Sequence, residues 1–596
     1  MHSKAIFLLL IAVGAVTALP AQEREKRFFG QFKAAVTKAH DKVASAVKQK
    51  ADDIINRLKS LVGENDCDCT AMGGVQDIVI VGGGPGGTYL AWRFRNMRTL
   101  DAKSILLLEA NDRIGGRLYS VDIPGIDFNV AEAGGMRYIP TSQPLVTDVI
   151  DTLGIPTKIF EMDEDNENRP YLLRNLFLQQ SQLTTADLPY ALKNDELHML
   201  PDALQLKYFH ATVNESQRAL PPDQAYTVYG DPLYYYGQSN VFSLAGASAD
   251  APNYFQDGNG YTYMFPENPG VAGNLLYVSN DTSLPTGSYY APQKGMSEIP
   301  IKLAQAFESY SNSKVQCGST VASINRCTYN NEEIYSLKTR DSTSGQITYN
   351  CGRKVYLSLT RSQLQRLDWE PVKTSPLLDS VISYKATKFF LTFPNAWWQD
   401  SSLQYLNLSK GRSISSLPIR QTFYFTNPNE GGNSMIMGYN DGPNADFWGT
   451  LADSLFTTYQ GSMNFLYNLS ERLVNEVIRQ MAINHDTTEQ LIGSPIDGLV
   501  MYWNHETTPA VIPDYGPHMP SEAWHMWKAG ANFTQVMKDV VQLDSTQDVF
   551  IVGEAYSGDQ GWVEGAFQTV DDLLSDQYGE TRRSHLGRRR RSPRFP

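Results

Sequence analysis

A glycine-rich turn at residues 82–87 carries the strongest chemical signal in this sequence. It reads Gly-Gly-Gly-Pro-Gly-Gly and directly follows a short apolar run at 77–81. The first glycine permits a tight turn, the third lets the backbone approach a pyrophosphate, and the last lets the next helix pack on the strand. Free N–H groups and the dipole at that helix N-terminus favour phosphate. The turn supplies five predicted cofactor residues, Gly82, Gly84, Pro85, Gly86 and Gly87.

A carboxylate follows the turn at the spacing of a dinucleotide site. A predicted helix leads to a second apolar run, 104–108, which ends at Glu109. A carboxylate there can accept hydrogen bonds from both ribose hydroxyls and repels a 2′-phosphate, which argues against NADP. Strand, turn, helix, strand and acid together predict a Rossmann-like unit. The sequence has no second glycine fingerprint for a nicotinamide, which favours oxygen as the electron acceptor.

The segment after this acid distinguishes a flavin from a nicotinamide cofactor. Residues 109–117 read EANDRIGGR, which resembles the second motif of the FAD-dependent amine oxidase superfamily. In that family the glycines let the chain pass close to the cofactor, and the second arginine approaches its phosphates. The resemblance implies FAD and adds three cofactor residues, Arg113, Gly116 and Arg117.

The next motif indicates the class of substrate. Residues 132–140 read EAGGMRYIP, which resembles the secreted L-amino-acid oxidases of molluscs and snake venoms. In those enzymes the Gly-Met-Arg turn passes beside the flavin and its arginine clamps the substrate carboxylate. A guanidinium pairs with a carboxylate in a planar, bidentate manner and so fixes the direction of the α-C–H bond. The resemblance therefore implies a catalytic role for Arg137, and cofactor contacts by Gly134, Gly135, Met136 and Arg137. The alternative is a structural ion-pair arginine.

Three later segments resemble the same family. Residues 294–300 resemble the turn that returns the chain to the FAD domain, and Val321 matches a valine whose backbone contacts the adenine. Residues 548–554 resemble the closing strand and flavin-phosphate motif, which ends at Glu554. The sequel resembles a helix start that faces the flavin ring. It implies cofactor contacts by Gly561, Trp562 and Val563, and a wall of the substrate slot formed by Trp562.

Two single residues complete the predicted catalytic set. Lys388 matches the family lysine that holds a water beside the flavin ring, and the alternative is an exposed lysine at a strand end. Tyr424 is placed where the family has a tyrosine that binds the substrate carboxylate, and the alternative is a core tyrosine. The stretches 220–290 and 503–527 match no family motif. No histidine matches a substrate-channel histidine by motif, and His198 and His210 are candidates for that role only by location.

The order of these motifs predicts an α/β fold in discontinuous pieces. We expect a Rossmann-like FAD-binding domain and an α+β substrate domain, with the substrate at their interface. An N-terminal amphipathic helix precedes both domains. The predicted segments are a signal peptide at 1–21, a basic amphipathic helix or prosegment at 22–74, the FAD-binding domain at 75–145, 290–372 and 535–580, the substrate domain at 146–289 and 373–534, and a basic tail at 581–596.

Both ends of the chain have the features of targeting or processing segments. Residues 1–21 place Lys4 before an apolar run that is typical of a secretory signal and too short for a membrane span. For the basic amphipathic helix within 28–62, one interpretation is a membrane-active or oligomerising helix. The alternative is a prosegment, or a helix docked on the body of the protein. The basic runs at 24–27 and 588–591 resemble convertase sites, or are solvated charges.

Composition excludes several classes of protein. The chain has 596 residues, 42% hydrophobic, and a net charge of 51 − 64 = −13, which argues against a disordered chain and a nucleic-acid binder. No metal-ligand or hydrolase spacing and no membrane-length apolar run occurs. Cys67 and Cys69 are too close for a relaxed bridge to each other, so we expect their partners among Cys317, Cys327 and Cys351, with the pairing open. The odd count leaves at least one thiol free or bonded to another chain. Five sequons support secretion weakly: Asn214, Asn280, Asn407, Asn468 and Asn532.

Together the residues and the resemblance predict a secreted, extracellular, FAD-dependent oxidase. It would convert L-amino acids to 2-oxo acids with release of ammonia and hydrogen peroxide. One alternative is a polyamine or monoamine oxidase, whose substrates have no carboxylate. Another is a catalytically silent secreted flavoprotein or matrix protein on the same fold. The expected partners are a small amine or amino acid and oxygen, with no metal and no nucleic acid. Oligomerisation and membrane contact through 28–62 stay open.

Overall fold

The computed structural model describes Cys67, Cys69 and most of residues 74–580. Within that range the exceptions are 163–166, 219, 221–222, 273–288, 404–409, 453–468, 505–510, 513–515 and 518–520. The predicted signal peptide, amphipathic helix and basic tail lie outside the described residues. The chain separates into two compact units, residues 1–68 with 326–333, and residues 69–325 with 334–596.

The described residues form twenty-two strands. They are β1 (Val75–Val81), β2 (Ile105–Leu108), β3 (Ser120–Val121), β4 (Ala131–Glu132), β5 (Thr157–Ile159), β6 (Pro170–Leu173), β7 (Leu176–Gln179), β8 (Tyr290–Pro292), β9 (Ser313–Gln316), β10 (Ser319–Tyr329), β11 (Glu332–Asp341), β12 (Ile347–Leu357), β13 (Val381–Tyr384), β14 (Ala386–Phe393), β15 (Lys410–Ser415), β16 (Gln421–Phe425), β17 (Ser434–Asp441), β18 (Asp497–Trp503), β19 (Val511–Ile512), β20 (Gly516–Pro517), β21 (Trp524–Trp527) and β22 (Val549–Ile551).

The same residues form fourteen α-helices. They are α1 (Pro85–Arg95), α2 (Pro144–Thr152), α3 (Pro201–Thr212), α4 (Glu215–Arg218), α5 (Gln238–Leu244), α6 (Ala251–Asn259), α7 (Glu298–Glu308), α8 (Arg361–Arg366), α9 (Glu370–Thr374), α10 (Gly442–Ala452), α11 (Glu471–Asn484), α12 (Glu489–Ile492), α13 (Phe533–Asp539) and α14 (Val563–Tyr578).

The first large sheet has a parallel centre of the Rossmann type. Its order is β10-β11-β12-β1-β2-β9, and β22 also pairs with β12. Strands β9, β2, β1, β12 and β22 run parallel, with Val79 level with both Leu106 and Val355. Both faces of β1 are buried, because Val79 joins one apolar cluster while Ile80 joins another with helices α1, α7 and α14. A near-continuous apolar run is what burial on two faces requires.

The second large sheet carries the predicted lysine. Its order is β18-β14-β17-β16-β15-β6-β7, antiparallel except where β15 meets β6. Side chains along β14 alternate between two apolar clusters. Phe389 packs toward α10 and α11, which cover one face. Phe390 packs with Met136, so the other face lies against the chain segment that contains the Gly-Met-Arg turn.

The disulfides confirm that the two N-terminal cysteines bridge to later ones. In the first unit Cys67 bonds to Cys327, and in the second Cys69 bonds to Cys351 on β12. Cys317 is the free thiol. The sequence had left the pairing open.

The predicted boundaries between the FAD-binding and substrate domains all fall inside the second unit, while residues 326–333 of the predicted FAD-binding segment belong to the first, so these boundaries stay predictions. The strands of the first sheet come from 75–108, 313–357 and 549–551, and those of the second from 170–179 and 386–503. Among the described residues no helix is long and apolar enough to cross a membrane.

Candidate cofactor and substrate site

The glycine turn connects β1 to α1 with no room for side chains. Gly82 has a φ of +105°, and a Cβ there would collide with the carbonyl oxygen of Ser358. A Cβ on Gly87 would collide with the carbonyl oxygen of Gly82. Helix α1 then begins at Pro85, whose missing N–H costs nothing in the first turn. The turn therefore places backbone N–H groups of a helix start at the carboxyl end of the parallel strands.

Glu109 lies beside this turn at the end of β2. It is buried, and its carboxylate accepts hydrogen bonds from Gly83 N at 2.6 Å and from Asn111 N at 2.8 Å. The backbone oxygen of Glu109 accepts from Ser319 N at 2.7 Å. That contact brings the start of β10, with Val321 two residues further on, to the same edge of the sheet.

The second motif packs directly on the glycine turn. Gly116 has a φ of +54°, and a Cβ there would lie 3.0 Å from the Cα of Gly84. The guanidinium of Arg113 stacks 3.7 Å from the ring centre of Tyr119 and donates to the carbonyl oxygen of Gly116. Arg117 forms an ion pair with Glu554, with Nη1 and Oε2 2.8 Å apart. The second motif and the closing motif therefore meet.

The closing motif brings a second helix start to the site. Glu554 also accepts a hydrogen bond from Gly561 N at 2.7 Å. Trp562 is the N-cap of α14, and Val563 is its first residue. A Cβ on Gly86 would lie 3.6 Å from the Cβ of Ala566 in the first turn of α14, so the starts of α1 and α14 lie side by side. Glycine backbone, two helix N-termini and a ribose-side acid form a cradle that fits FAD.

The Gly-Met-Arg turn lies against this cradle and carries the predicted substrate arginine. A Cβ on Gly134 would collide with the carbonyl oxygen of Arg117, and Gly135 N donates to that oxygen at 2.9 Å. The guanidinium of Arg137 lies 4.7 Å from the ring centre of Tyr289, and its Nη2 donates to Tyr261 Oη at 3.4 Å. Met136 is buried next to it.

Two donors of Arg137 have no partner among the described residues. Its Nε and Nη1 are buried and make no hydrogen bond there. Burial alone would lower the pKa of Arg137, but Tyr261 and Tyr289 raise it, so the guanidinium is charged. A buried charged donor without an acceptor is costly, which makes this position suited to an anionic ligand.

Lys388 lies on β14 directly opposite Tyr439 on β17. It is 4% exposed, so the alternative of an exposed strand-end lysine is wrong. Its Nζ donates to the carbonyl oxygen of Glu132 at 3.0 Å and to that of Gly134. Burial lowers the pKa of Lys388 to about 7, and burial raises the pKa of Glu132 to about 7. The two groups form a buried acid–base pair that titrates near neutrality.

Tyr424 does not join Arg137, and its predicted contact with the substrate carboxylate needs correction. Its side chain lies in the apolar cluster on the α10–α11 face of the sheet. There its hydroxyl bonds to Ser413 Oγ at 2.8 Å and to His485 Nε2 at 2.6 Å. Side chains alternate along a strand, so the neighbour Phe423 faces the Gly-Met-Arg turn instead. The core-tyrosine alternative describes this environment.

An aromatic wall, formed by Tyr261, Tyr263, Tyr384, Tyr439 and Trp524, was missed by the sequence argument. Tyr384 and Trp524 stack with ring centres 5.7 Å apart, and Tyr263 packs edge-on to both. Tyr261 packs edge-on to Tyr439 at 5.9 Å. A Cβ on Gly561 would lie 3.9 Å from Trp524, which places the wall beside the start of α14. The Tyr-x-Tyr spacing at 261–263 was the one local signal for it.

A buried carboxylate accompanies this wall. Asp441 Oδ1 accepts from Thr262 N at 2.7 Å, while Oδ2 has no partner among the described residues. Burial raises the pKa of Asp441 to about 6. The site thus combines a buried guanidinium, an acid–base pair and a second acid within aromatic walls.

The parallel sheet, the glycine cradle and the buried lysine define a flavin-dependent oxidoreductase. The family model described as flavin containing amine oxidoreductase matches residues 99–569, and the chain belongs to this family. The chain is therefore an oxidoreductase with FAD as its cofactor. The residues of the cradle described above fit that cofactor.

Several relatives match over much of the chain. Aplysianin-A of Aplysia kurodai is 25% identical over 541 residues, which covers 86% of this chain and 92% of that protein. Achacin of Lissachatina fulica is 24% identical over 550 residues, 84% and 93% of the two chains. L-amino acid oxidase Bs29 of Bothriechis schlegelii is 25% identical over 390 residues, 63% and 70%.

Solved structures support the fold alone. Wild-type putrescine oxidase bound to putrescine aligns with a TM-score of 0.57 at 15% identity, over 85% of this chain and 99% of that one. Cyclohexylamine oxidase from Brevibacterium oxydans gives 0.56 at 16% identity, over 84% and 99%.

Proposed function

We propose that this protein is a secreted L-amino-acid oxidase in which Arg137 binds the substrate carboxylate. The observation that carries the proposal is the pair of unpartnered, buried donors on the Arg137 guanidinium. An amine without a carboxylate would leave them unsatisfied, whereas an amino acid supplies two acceptor oxygens. A relative that bears the name L-amino acid oxidase supports the same substrate class.

The neighbouring residues fit the orientation that oxidation requires. Tyr261 Oη touches Nη2 of the clamp, so it can share the carboxylate or direct the guanidinium. Lys388 Nζ donates to the carbonyl of Gly134, three residues before Arg137, so clamp and lysine belong to one packed unit. A carboxylate fixed at the clamp restricts the rotation of the substrate and so orients its α-carbon.

Proton handling falls to the acid–base pair Glu132–Lys388. A substrate amine must be neutral before its α-carbon is oxidised, and the pKa of Lys388 near 7 lets that lysine exchange protons at neutral pH. FAD held in the cradle would supply the two-electron chemistry, with the α-C–H bond of the substrate as the electron source and dioxygen as the final acceptor. The products balance as imino acid and hydrogen peroxide, and water then converts the imino acid to a 2-oxo acid and ammonia.

Three features support secretion. The first 21 residues have the pattern of a signal peptide. Two disulfides are typical of an oxidising compartment. Of the five sequons, Asn214 and Asn532 fall on described residues, and both are exposed as glycosylation requires.

The decisive experiment compares amino acids with their decarboxylated amines. In Arg137→Met we expect kcat/KM for L-amino acids, measured as peroxide release, to fall more than about 100-fold, or ~2.7 kcal/mol. Arg137→Lys should lie between, because an ammonium lacks the planar fork. Activity on amines should not fall. Equal activity of wild type and Arg137→Met on amino acids would contradict the clamp and favour an amine oxidase.

A separate measurement addresses the silent flavoprotein. Wild-type protein with bound flavin is mixed anaerobically with each of the twenty amino acids and with common amines. Bleaching of the visible flavin bands by amino acids supports the proposal. Bands that no compound bleaches would favour a scaffold without turnover.

A further inference from the structure

We propose that His525 is a positioning residue for FAD binding. It acts through a buried chain of alternating charges, Glu522, His525, Glu554 and Arg117, which we call the charge chain. Two of its members, Arg117 and Glu554, belong to the cofactor cradle described above. The inference concerns the cofactor end of the site and does not depend on which substrate is oxidised.

The ring of His525 is held between two carboxylates. Its Nδ1 lies 2.8 Å from Glu554 Oε2, and its Nε2 lies 2.8 Å from Glu522 Oε1. His525 and Glu522 are fully buried, and Glu554 is 6% exposed. A neutral imidazole has one N–H and can satisfy only one of two ionised carboxylates. The geometry therefore calls for the doubly protonated, positively charged ring.

The carboxylate of Glu522, at the end of the charge chain away from the cradle, is held in its ionised form. Glu522 accepts hydrogen bonds from Ser362 N at 2.9 Å, from Thr360 Oγ1 at 3.0 Å and from Ser362 Oγ. Burial alone would raise the pKa of Glu522, but the bonds from His525 and Ser362 hold it well below its usual range. Burial alone would lower the pKa of His525, but Glu554 and Glu522 raise it. Two negative and two positive groups alternate, so the chain is neutral as a whole.

The carboxylate of Glu554 connects the charged ring of His525 to the cofactor cradle. Glu554 Oε2 pairs with Arg117, and Oε1 accepts from Gly561 N at 2.7 Å and from His525 N at 3.1 Å. One carboxylate thus holds the second motif and the start of α14 in place. His525 also follows Trp524 on β21, so the same residue links the cradle to the aromatic wall.

Loss of the ring charge should disturb the cradle rather than the whole fold. In His525→Gln the chain keeps two carboxylates and one arginine, which leaves a net negative charge in a buried place. Glu554 then keeps Arg117 and Gly561 N but loses the charged ring, and Glu522 is left without a cation. Repulsion between the two carboxylates should displace Glu554, which is the common anchor of Arg117 and Gly561. Changing Glu522 to Gln as well restores neutrality, and the two amides can bond to each other.

The test measures FAD binding to the apoprotein, with flavin fluorescence and visible circular dichroism as readouts. We expect His525→Gln to weaken FAD affinity at least tenfold and to change the flavin dichroism. We expect His525→Gln with Glu522→Gln to return affinity to within threefold of wild type. Glu430→Gln, at an exposed carboxylate outside the cradle, is the control and should bind as wild type does. Wild-type affinity in His525→Gln, or a double variant as weak as the single, would overturn the charge chain.

A second measurement serves if His525→Gln does not fold. The titratable groups that face the ring are Glu522 and Glu554, with Arg117 beyond Glu554. The raised pKa of His525 keeps the ring charged below its folded pKa, and the charge is lost as pH rises through that value. In Glu522→Gln the ring loses one anion, so FAD affinity should fall at a lower pH than in wild type. Identical pH profiles would contradict the proposal, while the Arg137 clamp would stand or fall on its own test.

Discussion

The two faces of the second sheet lie against buried polar groups in different charge states. On the face toward the Gly-Met-Arg turn, Lys388, Glu132 and Asp441 have pKa values shifted to about 6 or 7. On the face toward α10 and α11, Tyr424 and His485 bond to each other, and burial lowers the pKa of His485 to about 3. The first face carries charge that titrates near neutrality, whereas the second is neutral there.

This difference shows how a strand separates two sets of side chains. We call the face toward the Gly-Met-Arg turn the reactive face and the face toward α10 and α11 the core face. Adjacent residues point to opposite faces, so Phe423 faces the clamp while Tyr424 lies in the apolar core. Both faces are buried, so burial alone does not mark the reactive one. His485 Nδ1 on the core face also lacks a partner among the described residues, but its ring is neutral, whereas the unpartnered atoms of Arg137 and Asp441 belong to a charged guanidinium and to a carboxyl that titrates near neutrality.

The largest expected effect is on the reactive face. Lys388→Met keeps the length and most of the volume but removes the ammonium, so kcat should fall at least about 100-fold. The stability should change little, because removing a buried charge offsets the loss of the hydrogen bonds to the carbonyl oxygens of Glu132 and Gly134. Lys385→Met is the matched control, since Lys385 Nζ pairs with Asp446 at 3.0 Å. Peroxide release measures kcat, and a loss under threefold in Lys388→Met would break the comparison.

On the core face, His485 should make the protein sensitive to acid. The pKa is about 3 when folded and ~6.5 when unfolded, so the unfolded state binds the extra proton and stability falls as pH drops through that window. His485→Gln removes this contribution. Between pH 6.5 and 5 its free energy of unfolding should fall by about 1.6 kcal/mol less than that of wild type. Urea unfolding at both pH values checks this, and equal losses would contradict it.

Tyr424→Phe should lower stability and spare activity. The change leaves Ser413 Oγ and His485 Nε2 without their bridging hydroxyl, at a cost of about 1–2 kcal/mol. Tyr439→Phe is the counterpart on the reactive face and should lower kcat/KM with a smaller loss of stability. Urea unfolding and peroxide release separate the two outcomes. A large loss of activity in Tyr424→Phe would reinstate its predicted role at the substrate carboxylate.

The smallest expected effect is a shift of the pH profile. Glu132 raises the pKa of Lys388 by its charge, so Glu132→Gln should let burial lower that pKa further. If neutral Lys388 is the active form, activity rises with pH through about 7 in wild type. The same rise should occur about one pH unit lower in Glu132→Gln. The pH dependence of kcat/KM is the measurement, and an unmoved acid limb would exclude Lys388 as the titrating group.

The cofactor end of the site could be predicted from sequence, and the substrate end only in part. The glycine turn, Glu109 and the second motif are local in sequence, and each residue type is set by backbone approach or charge. The aromatic wall joins Tyr261, Tyr384, Tyr439 and Trp524, which meet only after two sheets have formed. Tyr424 was misplaced because a single-residue error in strand register exchanges the two faces.

The remaining gaps have the same physical origin. His525 and Glu522 lie in a stretch that matches no motif. Their proposed role in cofactor binding depends on contact with Glu554, about thirty residues further on. The disulfide pairing was open because spacing in sequence does not determine which thiols a folded sheet brings together. The residue types predicted the class of reaction and the cofactor, whereas the contacts between distant residues became known only from the tertiary structure.

The two disulfides have a practical consequence for handling the protein. They join positions 260 and 282 residues apart, so a protease cut anywhere between residues 70 and 326 leaves the fragments covalently attached. A nicked sample would migrate as one band on a denaturing gel without reductant and as two bands with it. Preparations judged intact on non-reducing gels alone could therefore contain broken chains.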